Sequence, residues 1–170
     1  MRVMRTFLAA SLFCVAAAAP AAAQPTIGGG WAVFSWSGLG PVASWGGTFG
    51  LTSANPFEIR IVDCCVVGDV FRLSWTGTAV GSFDTSAPGV GGGCFSGDGC
   101  WAIPGMSKGS ATYGAGTYTY TLETIALAPG FSSGSGFIRA DETVVPEPAT
   151  WLLMGTGMAG LLAVSRRRRA

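Results

Sequence analysis

The stretch TYTYTLE, residues 117–123, decides the fold predicted for this chain. Tyr118, Tyr120 and Leu122 alternate with threonines, and successive side chains of a β-strand point to opposite faces. The alternation therefore predicts a strand with one apolar face and one polar face. It extends towards Pro129-Gly130, a pair that favours a turn.

Two earlier stretches repeat this alternation. Phe57–Asp63 reads FEIRIVD, in which apolar side chains alternate with Glu58 and Arg60, and residues 70–75 read VFRLSW. The residues between them include VGD at 67–69, which favours a turn. We therefore expect the two strands to form a hairpin or a closely related antiparallel pair.

The other predicted strands are short and are separated by turns rich in glycine. They are residues 31–36, 43–51, 78–83 and 136–140. Residues 86–99 have almost no pattern, so we expect a long surface loop there. About seven or eight short strands without an amphipathic helix predict an all-β fold, an antiparallel β-sandwich, with an up-and-down barrel as the alternative.

The last part of the sequence combines a Pro-Glu-Pro element, an uncharged apolar run at residues 149–165 and an arginine cluster. The element is Val145, Pro146, Glu147 and Pro148, and the cluster is Arg166, Arg167, Arg168 and Arg169. A helix over the apolar run is about 25 Å long, slightly short of the ~30 Å hydrocarbon core, so we expect a transient transmembrane helix. The arginines are expected to stay cytoplasmic, with the rest of the chain on the other side.

These three parts, in this order, resemble the PEP-CTERM sorting signal of Gram-negative bacteria. The resemblance covers residues 144–170 and implies that an exosortase recognises the chain and cleaves it near the Pro-Glu-Pro element. It also implies transient anchoring in the inner membrane, followed by delivery to the cell surface or extracellular matrix. An ordinary C-terminal membrane anchor is the alternative.

The first residues have the pattern of a secretory signal peptide. Arg2 and Arg5 precede an apolar stretch at residues 7–19, and Ala21 and Ala23 form a small-residue cleavage site. We expect signal peptidase to remove residues 1–23, which leaves an exported domain at residues 24–143. A permanent N-terminal anchor is the alternative.

The predicted exported domain is acidic, although the whole chain has a net charge of +1. Six of the ten basic residues lie in the two targeting segments, so residues 24–143 hold eight acidic and four basic residues, a net charge of −4. A nucleic-acid partner is therefore not expected, because such partners require a basic surface.

This domain contains four cysteines: Cys64, Cys65, Cys94 and Cys100. An even number of cysteines in an exported chain predicts disulfides. A bond between the adjacent Cys64 and Cys65 closes a strained small ring, so we favour the two cross-pairings that join this pair to Cys94 and Cys100. A zinc site with four thiolates is the alternative, although the spacing lacks the usual Cys-x-x-Cys knuckles.

The residue types argue against an enzyme. The chain has no histidine, which excludes catalytic triads that use one. A Ser107-Lys108 dyad has no supporting motif, and Lys108 is interpreted as a solvated loop lysine. Carboxylate pairs for glycoside hydrolysis could come from Asp63, Asp69, Asp84, Asp98 and Glu123, but their spacing selects none of them.

Two other ligand classes have weak candidates. Asp69 and Asp98 lie beside glycines in predicted turns and are candidate calcium ligands, although ordinary turn aspartates are favoured and no cofactor is expected. Trp101 lies beside Cys100 in a predicted loop and is the candidate for stacking on a sugar ring. Trp75 is expected in the core.

Residues 61–86 together with 115–118 (AGTY) resemble the extracellular domain of many PEP-CTERM proteins. This resemblance implies a jelly-roll or galactose-binding-like sandwich. We therefore expect a non-enzymatic surface or matrix protein that associates with exopolysaccharide in a biofilm. The alternatives are a carbohydrate-binding module and, less favoured, a small hydrolase.

Overall fold

The computed structural model describes residues 22–89 and 93–143, together with the helical positions 154, 156 and 158. Within residues 22–89 and 93–143 the chain forms nine β-strands and one short α-helix. The strands are β1 (Ala32–Ser37), β2 (Gly40–Pro41), β3 (Thr48–Ser53), β4 (Phe57–Asp63), β5 (Val70–Gly77), β6 (Gly81–Asp84), β7 (Lys108–Tyr113), β8 (Gly116–Ala126) and β9 (Ser133–Glu142). The helix α1 is Gly97–Ala102, and a helical turn at Ser44–Gly47 precedes β3.

The strands form two antiparallel sheets. The first sheet has the order β1-β9-β4-β7, and the second has the order β2-β8-β5-β6, with β3 also paired to β8. The sheets share one hydrophobic core, as in a sandwich. Phe34 of the first sheet meets Phe71 of the second edge to face, with ring centroids 5.0 Å apart. The all-β antiparallel architecture predicted from the sequence is therefore confirmed.

The alternating stretches bury the predicted faces. Phe57, Ile59 and Ile61 are completely buried, while Glu58 and Arg60 point outward and form an ion pair with 2.6 Å between Oε2 and Nη2. The register of β4 with β9 places Ile61 opposite Ile138, so the two inward faces coincide. Tyr118, Tyr120 and Leu122 of β8 are buried in the facing sheet. Trp75 is only half-buried, and it packs at the margin of the core against Phe83 and Tyr113.

The predicted hairpin of β4 and β5 is wrong. β4 lies between β9 and β7 in the first sheet, whereas β5 lies between β8 and β6 in the second. The turn after Asp63 therefore carries the chain across the edge of the core. Turn residues indicate where a chain reverses, but they do not indicate which sheet the next strand joins, and both strands have an apolar face that either layer can bury.

The predicted loop at residues 86–99 is also partly wrong. Ser96 caps α1 by accepting a hydrogen bond from Gly99 N, and the helix packs on the outer face of the first sheet. The segment Lys108–Tyr113, which was not predicted as a strand, forms β7 at the edge of that sheet.

Several predictions fall on residues that are not described. They concern the signal peptide with its cleavage residue Ala21, the Pro-Glu-Pro element at 145–148, most of the helix at 149–165 and the arginines at 166–169. In the part of the chain that is described, no helix has the length and apolar character needed to cross a membrane.

Candidate functional site

The crossover from β4 to β5, residues 63–70, brings two carboxyl groups and two thiols together. Asp63 ends β4, is fully buried and accepts hydrogen bonds from three backbone N–H groups. Its Oδ1 accepts from Cys64 N at 2.8 Å, and its Oδ2 accepts from Gly68 N at 3.2 Å and from Asp69 N at 3.1 Å. The Asp63 side chain thus holds the turn closed from inside.

The second carboxyl group of the crossover connects it to the far end of β8. Asp69 is 3% exposed, and its Oδ1 accepts a hydrogen bond from Ala128 N at 2.8 Å. Burial, and then the neighbouring Asp69 carboxylate, raise the pKa of Asp63 to about 7. Burial raises the pKa of Asp69 as well. In the folded state it is therefore favourable for one of these two carboxyl groups to be protonated.

The predicted cross-pairings of the cysteines are wrong. Cys94 and Cys100 bond to each other, and Cys64 and Cys65 remain free. The first turn of α1 brings Cys100 back over Cys94, so that their Cα atoms are 5.2 Å apart, within the usual disulfide range. This bond also removes two of the ligands of the alternative zinc site.

A cleft of about 140 Å³ opens beside the free cysteines. Its lining is mainly apolar and consists of Trp36, Cys64, Cys65, Val66, Asp69, Phe131, Ser133 and Gly134. Sequence reasoning singled out Asp69 and the cysteines but missed Trp36 and Phe131 as cleft residues. No local signal could have found them, because they come from β1 and from the turn before β9, far from residue 65 in the sequence.

A second cluster lies on the outer face of the first sheet, and we call it the outer aromatic patch (Trp31, Trp101, Arg60, Lys108 and Arg139). The two indole rings have centroids 6.1 Å apart. The guanidinium carbon of Arg60 lies 5.6 Å, and the ammonium nitrogen of Lys108 5.5 Å, from the Trp101 ring centroid, and Arg139 lies 6.0 Å from that of Trp31. Such distances allow cation–π attraction.

Two predictions about this patch are corrected. Trp101 lies in α1 and is half-buried, because the helix presses its ring towards the sheet. Lys108 is not a solvated loop lysine: its Nζ donates hydrogen bonds to Trp101 O at 2.5 Å and to Ile103 O at 3.2 Å. The hydroxyl of Ser107 is hydrogen-bonded to the Thr85 hydroxyl and to Ser86 O. Ser107 and Lys108 therefore form no dyad.

The candidate calcium ligands are not brought together. Asp69 lies inside the crossover, whereas Asp98 is exposed in α1, where it accepts from Trp31 Nε1 at 2.8 Å and lies 3.6 Å from Arg139 Nη1. Across the described residues, no three His, Cys, Asp or Glu side chains converge as a metal site would require. Asp84 is likewise engaged, in an exposed ion pair with Arg72.

The fold and its two clusters define a class: an all-β protein of two antiparallel sheets, with one disulfide and almost no helix in its described part. The family model of the PEP-CTERM protein-sorting motif matches residues 144–169, so the chain carries this motif where the sequence predicted it. The motif indicates export, processing by an exosortase and sorting to the cell surface. Comparison with curated proteins and with solved structures finds no match.

Proposed function

We propose that the protein is a non-enzymatic component of the cell surface or extracellular matrix, that it associates with exopolysaccharide and that it needs no resident cofactor. The observation that supports this proposal is the sorting motif at residues 144–169, which indicates export and sorting to the cell surface. In this proposal signal peptidase removes residues 1–23, and the apolar run at 149–165 anchors the chain in the inner membrane until the exosortase acts.

The strand order supports a jelly-roll topology for the exported domain. When β2 and β3 are taken as two segments of one strand position, β1-β9-β4-β7 faces β3-β8-β5-β6. In the first sheet β1 lies beside β9 and β4 lies beside β7, and in the second sheet β3 lies beside β8 and β5 lies beside β6. This is the strand order of two nested Greek keys. A jelly roll provides broad, rigid outer faces that suit contacts with a polymer.

The sorting proposal is tested by fractionating cells that express variants of the full chain. Deletion of residues 145–170 is expected to leave the protein soluble in the periplasm. The matched control is the double variant Pro146→Ala and Pro148→Ala, which keeps the apolar run and the arginines. An exosortase substrate loses processing in this variant, whereas an ordinary anchor is unaffected, and surface delivery of the deletion variant would contradict the proposal.

The outer aromatic patch favours a second candidate function, carbohydrate binding. Two neighbouring indoles flanked by Arg60 and Arg139 combine an apolar platform with hydrogen-bond donors, the combination that ligand sites use. Trp101→Ala is expected to abolish binding on a glycan array. Arg72→Gln, on the other sheet, is the control and should bind like the wild type. If Trp101→Ala binds as the wild type does, the patch is not the glycan site.

A further inference from the structure

The free cysteines at the crossover have no partner except each other among the described cysteines. Cys94 and Cys100 are already joined, and the Sγ atoms of Cys64 and Cys65 lie 2.7 Å apart. This distance is much shorter than the limit of about 4 Å within which ordinary apolar contacts are counted. The structure thus places the two thiol sulfurs in direct contact with each other.

The backbone at this position contributes to that arrangement. Cys65 has φ of 70°, in the left-handed region that residues other than glycine seldom adopt. The backbone of the neighbouring Cys64 is also fixed, because its N–H donates a hydrogen bond to Asp63 Oδ1. The conformation that turns the two side chains towards each other is therefore fixed by the crossover itself.

The cleft gives this pair access to small molecules. Both cysteines line it, but Cys64 is buried at 6% exposure, whereas Cys65 is half-buried. Burial raises the pKa of Cys64 to about 12, so its thiol stays protonated at neutral pH and does not start the exchange. Cys65 is therefore the sulfur that a reagent in the cleft meets first.

We propose that Cys64 and Cys65 are a redox-active pair that forms a reversible vicinal disulfide. The pair forms it by exchange with a small-molecule disulfide such as oxidised glutathione. The inference rests on the export in the proposed function, because that location supplies oxidising conditions.

The exchange balances in two steps. The thiolate of Cys65 attacks one sulfur of the reagent, which forms a mixed disulfide and releases one thiol. The Cys64 sulfur then attacks Cys65 Sγ and releases the second thiol, while its proton passes to the leaving sulfur. The two cysteines are oxidised by two electrons and the reagent is reduced by two, so one disulfide is exchanged for another.

The bond is expected to be labile. Neighbouring Cα atoms are about 3.8 Å apart across a trans peptide, less than the ~4.4 Å at which unstrained disulfides begin. Strained disulfides are more easily reduced than relaxed ones, and they include the regulatory ones. Cys94–Cys100, whose Cα separation of 5.2 Å is normal, supplies an internal reference in the same molecule.

Trypsin separates the two cysteine pairs. Cleavage after Arg60, Arg72 and Lys108 gives peptide 61–72, which holds Cys64 and Cys65, and peptide 73–108, which holds Cys94 and Cys100. The purified full chain is reduced, treated with oxidised glutathione, blocked with N-ethylmaleimide in denaturant and digested. The proposal predicts that peptide 61–72 is unlabelled, free of other peptides and lighter by two hydrogens than its reduced form.

The double variant Cys94→Ser and Cys100→Ser is the matched control, and its peptide 61–72 should close in the same way. In a dithiothreitol titration of the wild type, peptide 61–72 should open at a concentration roughly tenfold below that for peptide 73–108. Labelling of both thiols in peptide 61–72 after glutathione treatment, or its linkage to peptide 73–108, overturns the proposal. Closure in vitro with open thiols in protein taken from cells supports the pair but contradicts the exported state.

Discussion

Raising the pH from 4 to 8 should weaken the folded state through Asp63. The folded protein raises the pKa of this carboxyl group from 3.8 to about 7, first because of burial and then because of the Asp69 charge. A folded state that holds the proton more tightly is stabilised at low pH. This stabilisation is fully present below about pH 4, falls as the pH rises towards 7 and is lost above it. One pKa unit corresponds to about 1.4 kcal/mol, so the whole change is about 4 kcal/mol at most.

The variant Asp63→Asn removes this titrating carboxyl group and so isolates its contribution to the pH dependence of stability. The asparagine amide cannot accept all the hydrogen bonds from the N–H groups of Cys64, Gly68 and Asp69, so at pH 4 the variant should be less stable by about 1–3 kcal/mol. The wild type then loses stability towards pH 7, while the variant has no carboxyl group to titrate at this position. The difference in stability between the two proteins should therefore shrink as the pH rises and reach or pass zero above pH 7, because the wild-type loss of up to about 4 kcal/mol exceeds the difference at pH 4.

The measurement is urea unfolding of both proteins at a series of pH values, followed by tryptophan fluorescence with the disulfide intact. Asp84→Asn is the control. Its ion pair with Arg72 is exposed and lowers the pKa of Asp84, so this contribution is lost only as the pH falls below about 4. The Asp84→Asn curve should parallel that of the wild type from pH 5 to 8. A constant gap between wild type and Asp63→Asn from pH 4 to 7 would refute the argument.

Three substitutions test the packing around this framework by urea unfolding. Phe34→Ala removes a fully buried ring that meets Phe71 across the two sheets, and it should cost about 3–5 kcal/mol. Gly68→Ala should destabilise by more than about 1 kcal/mol, because φ is +150° there and a Cβ atom would lie 2.5 Å from the Ala128 methyl group. Ser107→Ala removes a fully buried hydroxyl with two hydrogen-bonding neighbours, and we expect a loss of about 1–3 kcal/mol. In each case, a midpoint equal to that of the wild type would contradict the packing described.

The strands that sequence reasoning found are those in which burial and alternation coincide. Phe57–Asp63 was predicted with the bounds that the structure gives it, because large apolar side chains on one face and charges on the other leave one orientation. Lys108–Tyr113 (KGSATY) was missed for the opposite reason. It is an edge strand of small residues, in which only Tyr113 is buried, so its pairing with β4 depends on a neighbour that the local sequence does not reveal.

The outer aromatic patch could be predicted only in part. Trp101 was singled out because it lies beside Cys100 in a predicted loop, but its environment depends on α1, whose six residues are too few for a periodic pattern. Trp31 directly precedes β1, and Arg139 lies in the neighbouring strand β9. The two residues therefore reach the same surface although they are more than a hundred residues apart in the sequence. Such a site is a product of strand order, which single stretches of sequence do not encode.

The cysteine pairing shows how one wrong assumption changes a chemical conclusion. The cross-pairings followed from the assumptions that all four cysteines form disulfides and that a strained ring between Cys64 and Cys65 is disfavoured, whereas Cys64 and Cys65 are free in the structure. Once α1 joins Cys94 to Cys100, the strained pairing that had been disfavoured is the one left for Cys64 and Cys65.

Asp63 accepts a hydrogen bond from the N–H of Cys64, so the carboxyl group that titrates near neutral pH and the proposed redox pair lie in the same turn. The charge of Asp63 also contributes, after burial and Cys65, to the raised pKa of Cys64. Ionisation of Asp63 should therefore disfavour the Cys64 thiolate further, so exchange at this site has to begin at Cys65.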